Sequence, residues 1–195
     1  LAELEAFTKR LGRENPSMAA ECVLAGPGLG EAEIAALSKA VPGLPESYLK
    51  CARMLRFVGV ELAGFSLSPL VNRGSLVDSL SRTNSTVNPL WPRLQSENLL
   101  EVAVGDSELV AVAGAGSTLP LGTVLMIHLF DANEAPALLA PDFEQFLIYA
   151  GNLMEISATM SGRKALKEFE LRLGKLGATT EMVDGWWEVA ESLFE

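Results

Sequence analysis

Between Leu99 and Phe130 the chain alternates apolar runs with turns too short for a crossover, and this limits what the rest can fold into. Leu99-Leu100-Glu101-Val102-Ala103-Val104 stops at Gly105-Asp106-Ser107. Leu109 to Ala113 follows, then Gly114-Ala115-Gly116 and Leu119-Pro120-Leu121-Gly122. Thr123 to Phe130 is the strongest strand signal. Parallel strands need a long crossover connection, so strands this close return antiparallel. The centre of the chain is therefore expected to be a largely antiparallel sheet.

The flanks read as helix. Leu1, Leu4, Phe7 and Leu11 share one face, and Asn15-Pro16-Ser17 ends that segment. The run Cys22-Val23-Leu24-Ala25 can be extended, and Gly26-Pro27-Gly28-Leu29-Gly30 is a loop. A helix from Glu31 carries Ile34, Leu37 and Val41 inward, with Glu31 and Glu33 in its first turn at the positive end of the dipole. After Pro42-Gly43, Pro45 suits a first helical position, and Tyr48, Cys51, Ala52 and Leu55 form the next buried stripe. Phe57 to Leu67 reads as strand bent at Gly59 and Gly64. Ser68 to Asn98, rich in Ser, Asn, Thr and Pro, reads as a long surface excursion with a short helix around Leu76 to Leu80. Asn88-Pro89-Leu90-Trp91-Pro92 excludes a helix interior or central strand there. After Asp131-Ala132-Asn133-Glu134 the chain is expected to return to helix, with Asp142 and Gln145 as a capping box and Phe143, Phe146, Leu147, Ala150 and Met154 inward. Two more helices follow. Leu166, Phe169, Leu173 and Leu176 line the first, Gly177 ends it, and Thr179 or Thr180 caps the second. Its inward face is expected to hold Val183, Trp186, Trp187, Ala190 and Leu193, although adjacent tryptophans diverge by about 100° on a helix, which leaves one free to anchor an interface. The organisation expected is an α+β domain over residues 1–154 with a helical C-terminal extension, 155–195, packed on it.

No apolar run approaches the ~18 residues needed to cross a bilayer. Leu1-Ala2-Glu3-Leu4-Glu5 has no basic stretch ahead of an apolar one, so no signal peptide is read there, and a start at Leu1 implies that something upstream was removed or left out. Cys22 and Cys51 form no C-x-x-C pair and read as reduced thiols of a cytoplasmic protein. Asn84-Ser85-Thr86 matches a glycosylation acceptor, but without a secretory signal it reads as chance. The formal charge of −10 argues against nucleic acid and anionic membranes as partners. It allows a basic protein partner, and it also suits a chain that is merely soluble.

The residues that could carry chemistry are few. The glycine loop lacks the third glycine of the dinucleotide fingerprint, since Glu31 follows Gly30, and two carboxylates stand where a pyrophosphate would dock. His128 is the lone histidine, and with two scattered cysteines it does not complete a familiar four-ligand zinc set. No Gly-x-Ser-x-Gly turn is present. The carboxylates Asp106 and Glu108, Asp131 and Glu134, and Asp142 and Glu144 flank turns and a helix start. Such pairs serve as caps, as acid–base groups, as cation ligands or as contacts for a basic partner. The expectation is a chain without catalysis, cofactor or metal.

Three stretches resemble the SUKH superfamily, which includes bacterial immunity proteins and fungal regulators of cell-wall synthesis. The first is the helix with Ile34 and Leu37 followed by Gly43-Leu44-Pro45-Glu46-Ser47-Tyr48. The second is Gly59 to Ser68-Pro69. The third, Leu139-Ala140-Pro141-Asp142-Phe143-Glu144-Gln145-Phe146-Leu147, is similar to that family's late helix start. The resemblance spans about Gly28 to Asn152, and Gly105-Asp106 stands where the family has a glycine-aspartate turn. Ser38 stands where the family usually carries a glutamate. It implies a mixed sheet wrapped by helices and a non-catalytic protein that binds a cognate toxin, often a basic nuclease, or alternatively a regulatory or scaffolding interaction module. The acidic positions expected to meet such a partner are Glu31, Glu33, Asp106, Glu108, Asp131 and Glu134, with Trp91 as an aromatic anchor.

Overall fold

A computed structural model of the chain describes residues 1–14, 23–24, 27–68, 74–130 and 134–194. The chain runs α1 (Ala2–Glu14), α2 (Glu31–Ala40), α3 (Glu46–Met54), β1 (Glu61–Leu62), β2 (Phe65–Ser66), α4 (Leu76–Thr83), α5 (Trp91–Glu97), β3 (Leu99–Val104), β4 (Glu108–Ala113), β5 (Val124–His128), β6 (Ala137–Ala140), α6 (Phe143–Ser157), α7 (Gly162–Lys175) and α8 (Thr180–Phe194). This is an α+β fold. The strands form one six-stranded sheet in the order β1-β2-β3-β4-β5-β6.

Every strand pairing among the described residues is antiparallel, including those outside the central run, where the family resemblance implied a mixed sheet. The reason is local. Each strand is followed by its own neighbour, and β1 and β2 turn through Ala63 and Gly64, both at positive φ (54° and 81°). That two-residue left-handed turn matches the twist of the strands it joins.

Alternation along β4 and β5 sorts side chains onto two faces. Val110, Val112, Val124 and Met126 face the main core. Leu109, Ala111, Ala113, Leu125 and Ile127 face a smaller cluster closed by Leu94 of α5. The main core is aromatic at its centre. Tyr48, Phe57 and Phe143 pack edge to face or tilted, and Phe146 stacks on Trp186 at 5.6 Å between ring centroids. Burying each such side chain contributes about 1.5–3 kcal/mol. Phe169 of α7 and Trp186 of α8 belong to the same cluster as Tyr48 and Phe146.

Several expectations are corrected. The stretch from Ser68 to Asn98 holds the short helix expected around Leu76 to Leu80, as α4, and a second, unexpected helix, α5, where a long excursion was expected. Ser75 caps α4 by accepting from the Asp78 N–H at 3.1 Å. Pro92 lies in the first turn of α5, where its missing N–H costs nothing. Pro45 is the N-cap of α3, in extended backbone, and not its first helical residue. The chain does not go straight to helix after Glu134, because β6 intervenes and pairs with β5. Asp142 caps α6 by accepting from the Gln145 N–H at 2.9 Å, but the buried Gln145 side-chain oxygen has no hydrogen-bond partner among the described residues, so the box is half formed. On α8 the inward face is Met182, Gly185, Trp186, Val189, Ala190 and Phe194, while Trp187 and Leu193 are exposed. Asn15, Pro16, Ser17, Cys22, Ala25, Gly26 and Pro69 lie outside the described residues.

The glycine loop has a packing role. A Cβ on Gly28 would meet the Ala52 carbonyl oxygen at 2.1 Å, and the neighbouring Leu29 N–H donates to that oxygen at 2.7 Å. Glycine here lets the loop backbone close the C-terminal turn of α3. Cys51, one residue away, is buried. Among the described residues no helix is long and apolar enough to cross a membrane.

Candidate functional site

The two central strands place a histidine and a glutamate side by side. Glu108 opens β4, His128 closes β5, and the register pairs them directly. Both therefore sit on the face turned toward the main core, at its open end. The turn that delivers Glu108 is tight: the Gly105 N–H donates to the Glu108 carbonyl at 2.8 Å, and the Ser107 hydroxyl donates to the Glu108 carboxylate. The Leu129 N–H donates to the Ser107 carbonyl at 2.8 Å, which fixes the turn to the exit of β5.

Three carboxylates surround the imidazole of His128. Glu108 Oε1 lies 3.8 Å from Nδ1. Glu188 Oε2, from α8, lies 3.1 Å from Nε2, and Glu134 Oε2 lies 3.9 Å from the same nitrogen. His128 and Glu108 are mostly buried, whereas Glu134 and Glu188 are half exposed. Next to this group lies a cleft of about 560 Å³. Its walls are the β1–β2 hairpin, the β3–β4 turn and the last turns of α8. Glu61, Asp106, Glu108 and Glu188 line it, and among the described residues no lysine or arginine does. Phe65, Met126, Val189 and Leu193 supply an apolar floor.

Four carboxylates lining one cleft favour a positively charged guest. One nitrogen of His128 with a carboxylate oxygen each from Glu134 and Glu188 gives three ligand atoms within 4.8 Å of one another, a set that could hold a divalent cation. Glu108, on the other ring nitrogen, would then orient the imidazole. The same excess of negative charge suits the guanidinium or ammonium of a protein side chain.

Of the acidic positions expected as partner contacts, Asp106 and Glu108 line the cleft, and Glu134 stands beside it at His128. Asp131 lies outside the described residues. Glu31 and Glu33 are placed elsewhere, at the start of α2. Glu31 pairs with Arg53 at 3.5 Å, and Glu33 folds back to accept from the Gly30 N–H at 2.9 Å, completing the cap of its helix. Trp91 opens α5 and is partly buried against the smaller cluster on the opposite sheet face. Sequence reasoning missed Glu61 and Glu188. Glu188 follows Trp187 on a helix sixty residues from His128, and no local pattern joins the two. Glu61 had a weak signal, an acidic residue beside the bend at Gly64.

A second recess, of about 520 Å³, lies on the other face of the sheet, between the α4–α5 connection and the β3–β5 strands. It contains Glu101 of β3, which is only 5% exposed. Burial pushes the Glu101 carboxyl up to about 7, against a partial downward pull from the hydrogen bond it accepts from Asn88. That bond is 2.7 Å long, from Nδ2 to Oε2. Asn84 clasps the backbone of the same residue, accepting from its N–H at 2.8 Å and donating to its carbonyl at 2.9 Å.

The fold and these two sites define an antiparallel α+β domain with an acidic cleft. No protein-family model, curated protein or solved structure matches the chain.

Proposed function

We propose that this chain is a non-catalytic protein-binding domain whose acidic cleft receives a cationic element of a basic partner. The observation that carries the reading is the convergence of Glu61, Asp106, Glu108 and Glu188 on one cleft whose walls, among the described residues, hold no basic side chain. In a protein of formal charge −10, this concentrates negative potential where a basic surface can dock and speeds the encounter.

The resemblance to the SUKH superfamily narrows the partner to a toxin domain, with this chain as the immunity protein that blocks it. An acidic inhibitor seated over a basic substrate cleft stops a nuclease by occupying the path of its substrate. The test is co-purification with the toxin encoded beside its gene, followed by protection of cells that express the toxin. A 1:1 complex whose affinity falls with salt, and which Glu108→Lys with Glu188→Lys abolishes, is the expected result. Capture of a regulatory assembly instead would transfer the same cleft to an interaction module. Failure to bind any neighbouring toxin or to protect any cell would end the immunity reading.

A further inference from the structure

The recess around Glu101 goes beyond the acidic cleft and lies on the opposite sheet face. Glu101 pairs with Ala111 in register, and Ala111 belongs to the smaller apolar cluster, so the carboxylate points away from His128. Its Oε2 accepts from Asn88, and among the described residues no protein donor reaches Oε1, which keeps some contact with solvent. One oxygen of this carboxylate thus holds the loop, while the other is open to a donor that enters the recess. Asn84 braces the strand separately, through the Glu101 backbone. The recess is of small-ligand size. Val87, Pro89, Leu90, Leu109 and Leu129 give it apolar walls. Arg82 is the other charged side chain lining it, and it is exposed, so water screens its charge far more than that of Glu101.

We propose that this recess binds a small organic ammonium, an amine with an apolar alkyl or aryl body. The N–H group donates to Glu101 Oε1 and the body lies against Leu90, Leu109 and Leu129. A pocket with apolar walls and one carboxylate oxygen free to accept selects for that combination. An alcohol of the same shape offers a weaker donor, and a carboxylate is repelled.

The probe is hexylamine, which is protonated at pH 8 because alkylammonium groups titrate near ~10.4. Hexanol and hexanoate serve as controls. Amide resonances of Asn88, Leu90, Glu101 and Leu109 are followed in the full chain. Expected are saturable shifts confined to this recess, affinity for hexylammonium at least about tenfold above hexanol, and no binding of hexanoate. Glu101→Gln keeps the acceptor for Asn88 and should erase the preference for the amine. If that variant loses its native spectrum, Val87→Arg serves in its place. Val87 is exposed at the mouth, and the added cation should weaken hexylammonium binding while leaving hexanol unchanged. Equal binding of hexanol and hexylammonium, or no localised shift, would overturn the proposal. Binding of a Gly-Ser peptide with one lysine as tightly as hexylammonium would also overturn it, by assigning the recess to a partner's side chain.

Discussion

The indole N–H of Trp186 donates to the carbonyl of Leu139 at 2.8 Å, in the buried seam where α8 lies against β6. One residue earlier, Gly185 has no room for a side chain: a Cβ there would stand 2.4 Å from the Leu138 carbonyl oxygen. Together the two residues let a helix close the edge strand of the sheet at backbone contact, and one hydrogen bond satisfies a carbonyl there.

Gly185→Ala is therefore expected to destabilise the fold by about 1–3 kcal/mol, since the obstacle is backbone and cannot rotate away. Trp186→Phe should cost a similar amount, through the lost hydrogen bond and the space left beside Phe146. Urea unfolding monitored by circular dichroism measures both. A Gly185→Ala protein as stable as the parent would contradict the close approach.

Glu101 gives a pH dependence of known sign. Its folded pKa of about 7 lies above the ordinary carboxylate value of 4.5. Below pH 4.5 the group is protonated in both states and costs nothing. Above pH 7 it is ionised in both, and the folded state bears the full cost of a buried charge. Relative to Glu101→Gln, the parent should lose roughly 3 kcal/mol of stability as pH rises from 4.5 to 7, taking 1.36 kcal/mol per unit. Urea midpoints of the two proteins, measured from pH 4 to 8, should converge at the acid end. Parallel curves across the range would refute the assignment.

Tyr48 carries a buried hydroxyl with no hydrogen-bond partner among the described residues, while its ring packs on Phe57 and Phe143. Burial pushes this phenol well above its usual titration range. Tyr48→Phe keeps the ring and removes the orphaned group, so it should be neutral or stabilising, by about 1 kcal/mol. A loss above ~1 kcal/mol in thermal or urea unfolding would point to a partner for that hydroxyl.

Cys51 is shielded chemically as well as sterically. Burial, with the nearby Glu144 carboxylate, pushes its thiol up to about 12. At pH 8 the reactive thiolate is then roughly 10⁻⁴ of the population. Iodoacetamide should leave Cys51 unmodified in the native protein and label it fully in guanidinium, as read by peptide mass mapping. Rapid native labelling would show that α3 opens readily.

Charge in the cleft should appear in the salt dependence of partner binding. Replacing Asp106, Glu108 and Glu188 by Asn, Gln and Gln should flatten the slope of affinity against ionic strength and slow association more than it speeds dissociation. Stopped-flow association at two salt concentrations separates these effects. An unchanged slope would remove the cleft from the interface.

The sheet was legible because its signal is local: apolar runs at short spacing impose antiparallel pairing whatever surrounds them. Asp142 as a cap and Phe143 to Met154 as a buried stripe were legible for the same reason. The Asn88-to-Pro92 stretch misled, because two prolines close together read as loop, while Pro92 at a helix start is compatible with α5. β6 was hidden because Ala137–Ala140 is short and borders the motif that opens α6. Half of the acidic site was legible, in Asp106, Glu108 and Glu134, because turn carboxylates mark strand exits. Glu188 was not, since only the docking of α8 brings it to His128. Glu101 stood in plain view as the one charge in an otherwise apolar strand, the pattern that marks a buried polar group.

The strands of this sheet are neighbours in the order in which they are synthesised, so each can pair with its predecessor as it leaves the ribosome. α8 emerges after all six of these strands, yet it closes the edge at β6 and supplies Glu188 to the cleft. A nascent chain therefore completes its acidic cleft only once translation has passed α8. Copies that stop short of α8 would carry the sheet with Glu61, Asp106 and Glu108 but without Glu188 and the wall it stands on, and so would compete poorly for whatever docks there.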